Sequence, residues 1–128
     1  MNFDDAPEFA KDVKALGKRV KTLKSDIKRA LPKIESLYVQ PEGLSDEQWT
    51  DYKNNFFDNK RATKLPGYPP EYDVIKMRLD TDTLQYKHKL RLVCVVVVSG
   101  DEITLVEVYS KNDKSREDAR RIKKYLWV

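Results

Sequence analysis

The chain has 128 residues, 40% of them hydrophobic and 36% charged, enough for one well-solvated domain that buries a modest core without a metal or disulfide. No apolar run approaches the roughly 20 residues of a bilayer crossing. The longest, Leu92 to Val98, is strand length, and the acidic opening Met1-Asn2-Phe3-Asp4-Asp5 lacks a signal-peptide pattern, so no membrane partner and a cytoplasmic location are expected. The single cysteine, Cys94, excludes an internal disulfide and lies inside that apolar run, where a buried, inert thiol is expected.

Net charge is +4, mild for a nucleic-acid binder, but it is unevenly spread. Residues 11 to 33 hold nine Lys/Arg against Asp12 and Asp26, whereas residues 40 to 60 hold five acids against two lysines. The basic stretch is either a solvated helix face or a surface for a polyanion.

In chain order, Phe9, Val13 and Leu16 follow a helical step that Gly17 can end. Val20, Leu23, Ile27, Leu31 (or Ala30), Ile34 and Leu37 continue it, with Thr22 as N-cap. The pattern predicts a helical hairpin, 7 to 17 and 22 to 38, or one bent helix, with Pro32 kinking or interrupting the second part. After the loop Gln40-Pro41-Glu42-Gly43, Ser45 and Gln48 form a capping-box pattern for a helix over 46 to 58 that carries Trp49, Tyr52 and Phe56 on one face. Pro66, Gly67, Pro69 and Pro70 mark 59 to 72 as a connecting loop.

The period then falls to two. Ile75, Met77 and Leu79 point one way, and Lys76 and Arg78 the other. Leu90 to Val98 reads as a central strand covered on most of both faces, except where Lys89 and Arg91 share a face at its start. Ser99-Gly100-Asp101-Glu102 makes a tight connection to a strand from Ile103 to Tyr109, and residues 115 to 126 a basic final helix with Ala119, Ile122 and Leu126 inward. Helices, then strands, then a helix argue for an α+β fold with an antiparallel β-sheet, a helical hairpin packed on one face and a C-terminal helix.

One histidine and one cysteine cannot make a zinc site of the usual N/S type, so no metal and no cofactor are expected. His88, between Lys87 and Lys89, reads as a solvated loop histidine, with a catalytic imidazole as the lesser alternative. What remains is a set of cations on strands. Lys76 and Arg78 share a face, Arg91 can join them, and Glu107 and Tyr109 share a face on the last strand, with Lys111 just beyond. Gathering like charges has a cost that a polyanion relieves, so the set is either an anion or RNA site or a solvated sheet face.

Several of these segments resemble one family. Pro7 to Arg19 (PEFAKDVKALGKR) and Thr22-Leu23-Lys24-Ser25-Asp26-Ile27 look like the opening helical hairpin of the RelE/ParE toxin superfamily. Val74 to Leu79, Lys89 to Val93, and Ile103 through Tyr109-Ser110-Lys111-Asn112-Asp113-Lys114 resemble its three successive strands and Tyr-x-Lys tail. The resemblance covers roughly 1–38 and 73–126 of a single domain spanning 1–128. The segment 39–72 stands as a helical and loop insertion, longer than the family's usual connection. The resemblance to the RelE-like branch implies a toxin held by an antitoxin protein, acting with the ribosome on mRNA as a metal-independent endoribonuclease. A 2′-hydroxyl would attack its neighbouring phosphate, which needs a base, cations for the developing charge and an acid for the leaving 5′-oxygen. The matching positions are Lys76 as base, Arg78 and Arg91 on the phosphate, Tyr109 for stacking or proton transfer, and Lys111 on the backbone or leaving group. Arg61, Lys89 and Lys114 would hold RNA. Two alternatives remain: a ParE-like inhibitor of DNA gyrase, and a non-catalytic RNA-binding module on the same fold.

Overall fold

Period-two segments become strands, and the one apolar on both faces takes the middle. The computed structural model describes residues 1–59, 61–99 and 102–126. Five strands, β1 (Asn2–Asp5), β2 (Ala62–Lys64), β3 (Tyr72–Arg78), β4 (Leu90–Val97) and β5 (Glu102–Ser110), form one sheet in the order β1-β5-β4-β3-β2. The strand expected to be central is central. Pairing is antiparallel from β2 through β5, but β1 lies parallel to β5, with Asn2 opposite Glu102 and Asp5 opposite Leu105. The sheet is therefore mixed rather than wholly antiparallel, and the fold is α+β. Gly100 and Asp101 of the expected tight connection lie outside the described residues.

The N-terminal apolar residues form two helices, α1 (Pro7–Leu16) and α2 (Leu23–Glu35), not one bent rod. The first ends at Gly17, where a Cβ would stand 2.6 Å from the Val13 carbonyl oxygen. The second runs through Pro32 without interruption and stops at Glu35, three residues before the expected end. The third, α3 (Asp46–Asp58), starts at the capping box: the Gln48 N–H bonds Ser45 Oγ at 3.1 Å and the Ser45 N–H bonds Gln48 Oε1 at 2.8 Å. Phe9, Leu23, Ile27, Ile34 and Phe56 from these helices pack on Ile75, Met77, Leu92 and Cys94 of one sheet face. The segment 39–72 is thus part of the core, and β2 is a strand within what the sequence presents as a loop.

The other sheet face has its own smaller core. Tyr72, Val74, Val93, Val95 and Val106 are covered there by Ile122, Tyr125 and Leu126, with Leu65 and Tyr68 from the Pro-rich segment. The C-terminal helix, α4 (Ala119–Lys123), is shorter than the expected 115–126. Asp118 caps it through Oδ1 to the Arg121 N–H at 3.1 Å, and residues 115 to 118 are non-helical. Ala119 is exposed rather than inward, so Ile122 anchors the helix.

A β-bulge decides which residues reach that second face. Val93 stands opposite Glu107 and Cys94 opposite Leu105, leaving Val106 as the extra residue. Leu105 and Val108 consequently both face the helices, three positions apart, while Val106 and Tyr109 face the second core. Since β1 stops short of the bulge, the Val106 carbonyl and Val108 N–H lie on an open edge. Arg121 Nη1 donates to Val106 O at 3.1 Å, Asp12 Oδ2 accepts from Val108 N at 3.2 Å, and the two side chains meet at 2.5 Å. Two edge groups with no strand partner are thereby satisfied, and α4 is tied to α1.

Candidate functional site

The end of the second face is where the cations gather. Register places Arg78 directly opposite Arg91, and Arg91 opposite Tyr109, so the three form one row across β3, β4 and β5. The Leu79 N–H bonds the Leu90 carbonyl at 3.1 Å, which makes 78–91 the non-hydrogen-bonded kind of pair, whose side chains stand closest. One step outward, the Lys111 N–H bonds the Lys89 carbonyl at 2.8 Å, continuing the ladder past β5 and setting two exposed lysines beside the row. One step inward, Lys76 and Glu107 flank Val93.

The inner step is neutralised and the outer two are not. Lys76 Nζ pairs with Glu117 Oε2 at 3.3 Å. Glu107, 1% exposed, accepts from Lys114 Nζ and, at 2.9 Å, from the Asp118 N–H. Among the described residues Arg78, Lys89, Arg91 and Lys111 make no ion pair with a carboxylate. Arg91 is held by backbone instead, donating from Nη1 to the His88 and Leu90 carbonyls at 3.0 Å each. Burial and then Arg78 push its pKa down, the signature of a guanidinium that is short of counter-charge.

Tyr109 is 6% exposed, and Lys114 sits 5.2 Å from its ring centroid. That leaves little room for a nucleobase to stack. Its hydroxyl has no hydrogen-bond partner among the described residues, and no buried side-chain polar atom is left unsatisfied, so the hydroxyl reaches the surface. Burial, then Glu117 and Glu107, push its pKa up to about 12, against the opposing pull of Arg91. At neutral pH the phenol is a proton donor, not a base.

The expected site residues therefore divide. Arg78, Arg91 and Tyr109 come together in register, Lys89 and Lys111 extend them, and Lys76 and Lys114 join as halves of ion pairs. Arg61, one residue before β2, stands on the far side of Arg78 from Arg91, with its carbonyl accepting from the Arg78 N–H at 2.8 Å. Lys76, which the resemblance assigns as the base, stands in an ion pair, its Nζ 3.3 Å from Glu117 Oε2. Sequence reasoning missed Glu117 as a member of the site and Glu107 as a buried carboxylate. Glu107 was visible by alternation with Tyr109, but Glu117 lies in a segment without a period.

The Thr22-to-Asp26 motif has a structural task. Thr22 Oγ1 donates to Asp26 Oδ2 at 2.9 Å and lies 3.3 Å from Thr81 Oγ1, while Arg29 bonds Asp26 Oδ1 at 2.6 Å. A buried carboxylate is thereby satisfied, and the β3–β4 connection is pinned to the start of α2. In the hairpin, Lys11, Lys14, Lys18, Lys21, Lys24 and Lys28 make no ion pair among the described residues.

Cys94 is fully buried and its thiol is pushed up to about 12 by burial, so it is no nucleophile. His88 is exposed, as a loop histidine should be. Among the described residues no group of three or more His, Cys, Asp or Glu is placed to hold a metal, and no helix is long and apolar enough to cross a membrane. No protein-family model, curated protein or solved structure matches this chain.

Proposed function

We propose that the chain is a RelE-like toxin, a metal-independent endoribonuclease that cleaves mRNA on the ribosome and is restrained by an antitoxin protein. The observation that carries this reading is the Arg78–Arg91–Tyr109 row: two guanidinium groups without carboxylate partners, set in register beside a phenol that keeps its proton. The helical hairpin followed by three antiparallel strands supports the sequence resemblance, and the unpaired hairpin lysines suit an RNA-rich partner such as the ribosome.

In this reading the 2′-hydroxyl oxygen attacks the adjacent phosphorus, the P–O5′ bond breaks, and a 2′,3′-cyclic phosphate and a 5′-hydroxyl result. Arg78 and Arg91 meet the charge that develops on the non-bridging oxygens, where fixed donors act most strongly. Tyr109 donates its proton to the departing 5′-oxygen, and Lys89 and Lys111, together on the outer side of the row, hold the adjoining backbone. Glu117, a carboxylate beside Lys76 and within the field of Tyr109, takes the role of base, with Lys76 as its ion-pair partner. Primer extension on cellular mRNAs after induction tests this. New 5′ ends inside translated regions, absent when translation is blocked and absent for Arg91→Gln, are expected. Growth arrest without new ends removes the nuclease.

The engagement of Lys76 and Lys114 by carboxylates favours one alternative, a non-catalytic RNA-binding module. That reading keeps RNA affinity and predicts no cleavage by the wild type.

A further inference from the structure

A second cationic site lies around the sheet edge from the row. Between α2 and the β3–β4 connection is a cavity of about 580 Å³ whose walls include Arg29, Lys33, Arg78, Lys87 and His88. A smaller cavity of about 140 Å³ shares Lys33, Arg78 and His88 and adds Arg61. Two of these cations are engaged, Arg29 with Asp26 at 2.6 Å and Lys33 with Asp80 at a loose 3.8 Å. Arg61, Arg78 and Lys87 have no carboxylate partner among the described residues. Asp26, Asp80 and Asp82 also line the larger cavity, so its four Lys/Arg outnumber its carboxylates by one, and Arg61 adds a further cation next door.

His88 joins this cleft to the row. Its carbonyl holds the Arg91 guanidinium at 3.0 Å, the residue borders both cavities, and its φ is +64°. Glycine takes that conformation without the penalty a side chain incurs. Among the described residues it is the one non-glycine residue with positive φ. A local backbone cost borne at a residue that lines a cationic cavity points to a use for its side chain.

We propose that this cleft is a strand-binding subsite. It holds a phosphodiester of single-stranded RNA flanking the one presented to Arg78 and Arg91, with Arg61 and Lys87 on the phosphate oxygens and the His88 ring against the sugar or base. Arg78 lines both sites, so one continuous strand serves them. The inference rests on the proposed action on RNA and adds where the strand runs beyond the reacting phosphate.

The test is fluorescence anisotropy of an end-labelled single-stranded oligoribonucleotide, titrated at several salt concentrations, with inorganic phosphate as a second probe. The double variant Arg61→Ala, Lys87→Ala should lose at least about tenfold in affinity, two charge-assisted contacts being removed. Its salt slope should flatten by about 0.7, the contribution of one neutralised single-strand phosphate. His88→Gly should weaken binding while melting at or above the wild-type temperature, which separates loss of contact from loss of fold. Unchanged affinity and slope in the double variant would overturn the subsite. Equal loss of oligonucleotide and inorganic phosphate would overturn its assignment to a strand. If wild-type protein cleaves nothing in cells yet oligonucleotide binding depends on Arg61 and Lys87, the nuclease reading fails and the subsite stands. If cleavage depends on Arg91 and the cleft variants bind normally, the subsite alone falls.

Discussion

Replacing Arg91 by glutamine separates what the cationic row does for stability from what it does for chemistry. A glutamine amide can still donate to the His88 or Leu90 carbonyl, which Arg91 Nη1 reaches at 3.0 Å, but it carries no charge opposite Arg78. Like charges directly opposed on neighbouring strands are destabilising, on the order of the roughly 0.2–1 kcal/mol that an opposite-charge pair contributes. The non-hydrogen-bonded spacing of this pair places it in the upper part of that range. Arg91→Gln should therefore be more stable than the wild type by a few tenths to about 1 kcal/mol in low-salt urea unfolding. The gain should fade toward 1 M salt, where the screening length is about 3 Å. A double-mutant cycle with Arg78→Gln should return a coupling of the same sign. Cleavage should move the other way, falling about 10²–10³-fold, the usual cost of one donor to developing oxyanion charge. A loss of stability that ignores salt would mean that the carbonyl bonds outweigh the repulsion, and the argument that the row is held at a cost would be wrong. A gain in stability with undiminished cleavage would take Arg91 off the phosphate.

Other expectations follow from individual contacts. Asp12→Ala strands the Val108 N–H and uncouples Arg121 from α1, so a loss of about 1–3 kcal/mol in chemical denaturation is expected; a change within about 0.5 kcal/mol would show that water satisfies this edge. Glu8 is held down to about 2 from 4.5, chiefly by the Tyr125 hydroxyl and then by its own backbone N–H and Lys124. Its folded pKa is depressed, so its contribution is present above about pH 4.5 and is lost as pH falls toward 2. Glu8→Gln should flatten that part of the stability–pH curve, and an unchanged curve would contradict the Glu8–Tyr125–Lys124 contact. Cys94 should resist alkylating reagents in the folded protein and react on unfolding; rapid modification under native conditions would contradict its burial.

The sequence exposes what a short-range period can encode. β4 is apolar on alternate and intervening positions alike, which suits only a strand covered on both sides, and the Ser45–Gln48 cap marks α3 to the residue. The edge strands are another matter. Asn2 to Asp5 is mostly polar, and its place beside β5 depends on a partner a hundred residues away. Ala62 to Lys64 is three residues long and pairs with β3 across the Pro-rich turn. The end of the chain misleads for a related reason. Ala119, Ile122 and Leu126 have helical spacing, but Asp118 caps a short helix, and only Ile122 is fully buried beneath it. Alternation brought Arg78, Arg91 and Tyr109 to one face correctly because the bulge at Val106 precedes Tyr109 and both sides of it re-enter register. Charge partners carry no such period, so the pairing of Lys76 with Glu117 and of Lys114 with Glu107 appears only in three dimensions, and with it the case for Glu117 over Lys76 as base.

The central claim is most directly tested in a translation extract given the purified protein and a defined mRNA, mapping 5′ ends and identifying the 3′ terminus of the upstream fragment. The account predicts cleavage only while the message is being translated, a 2′,3′-cyclic phosphate at the new terminus, and loss of both with Arg91→Gln and with Tyr109→Phe. Intact message under wild-type protein, or cleavage that survives both substitutions, would contradict it.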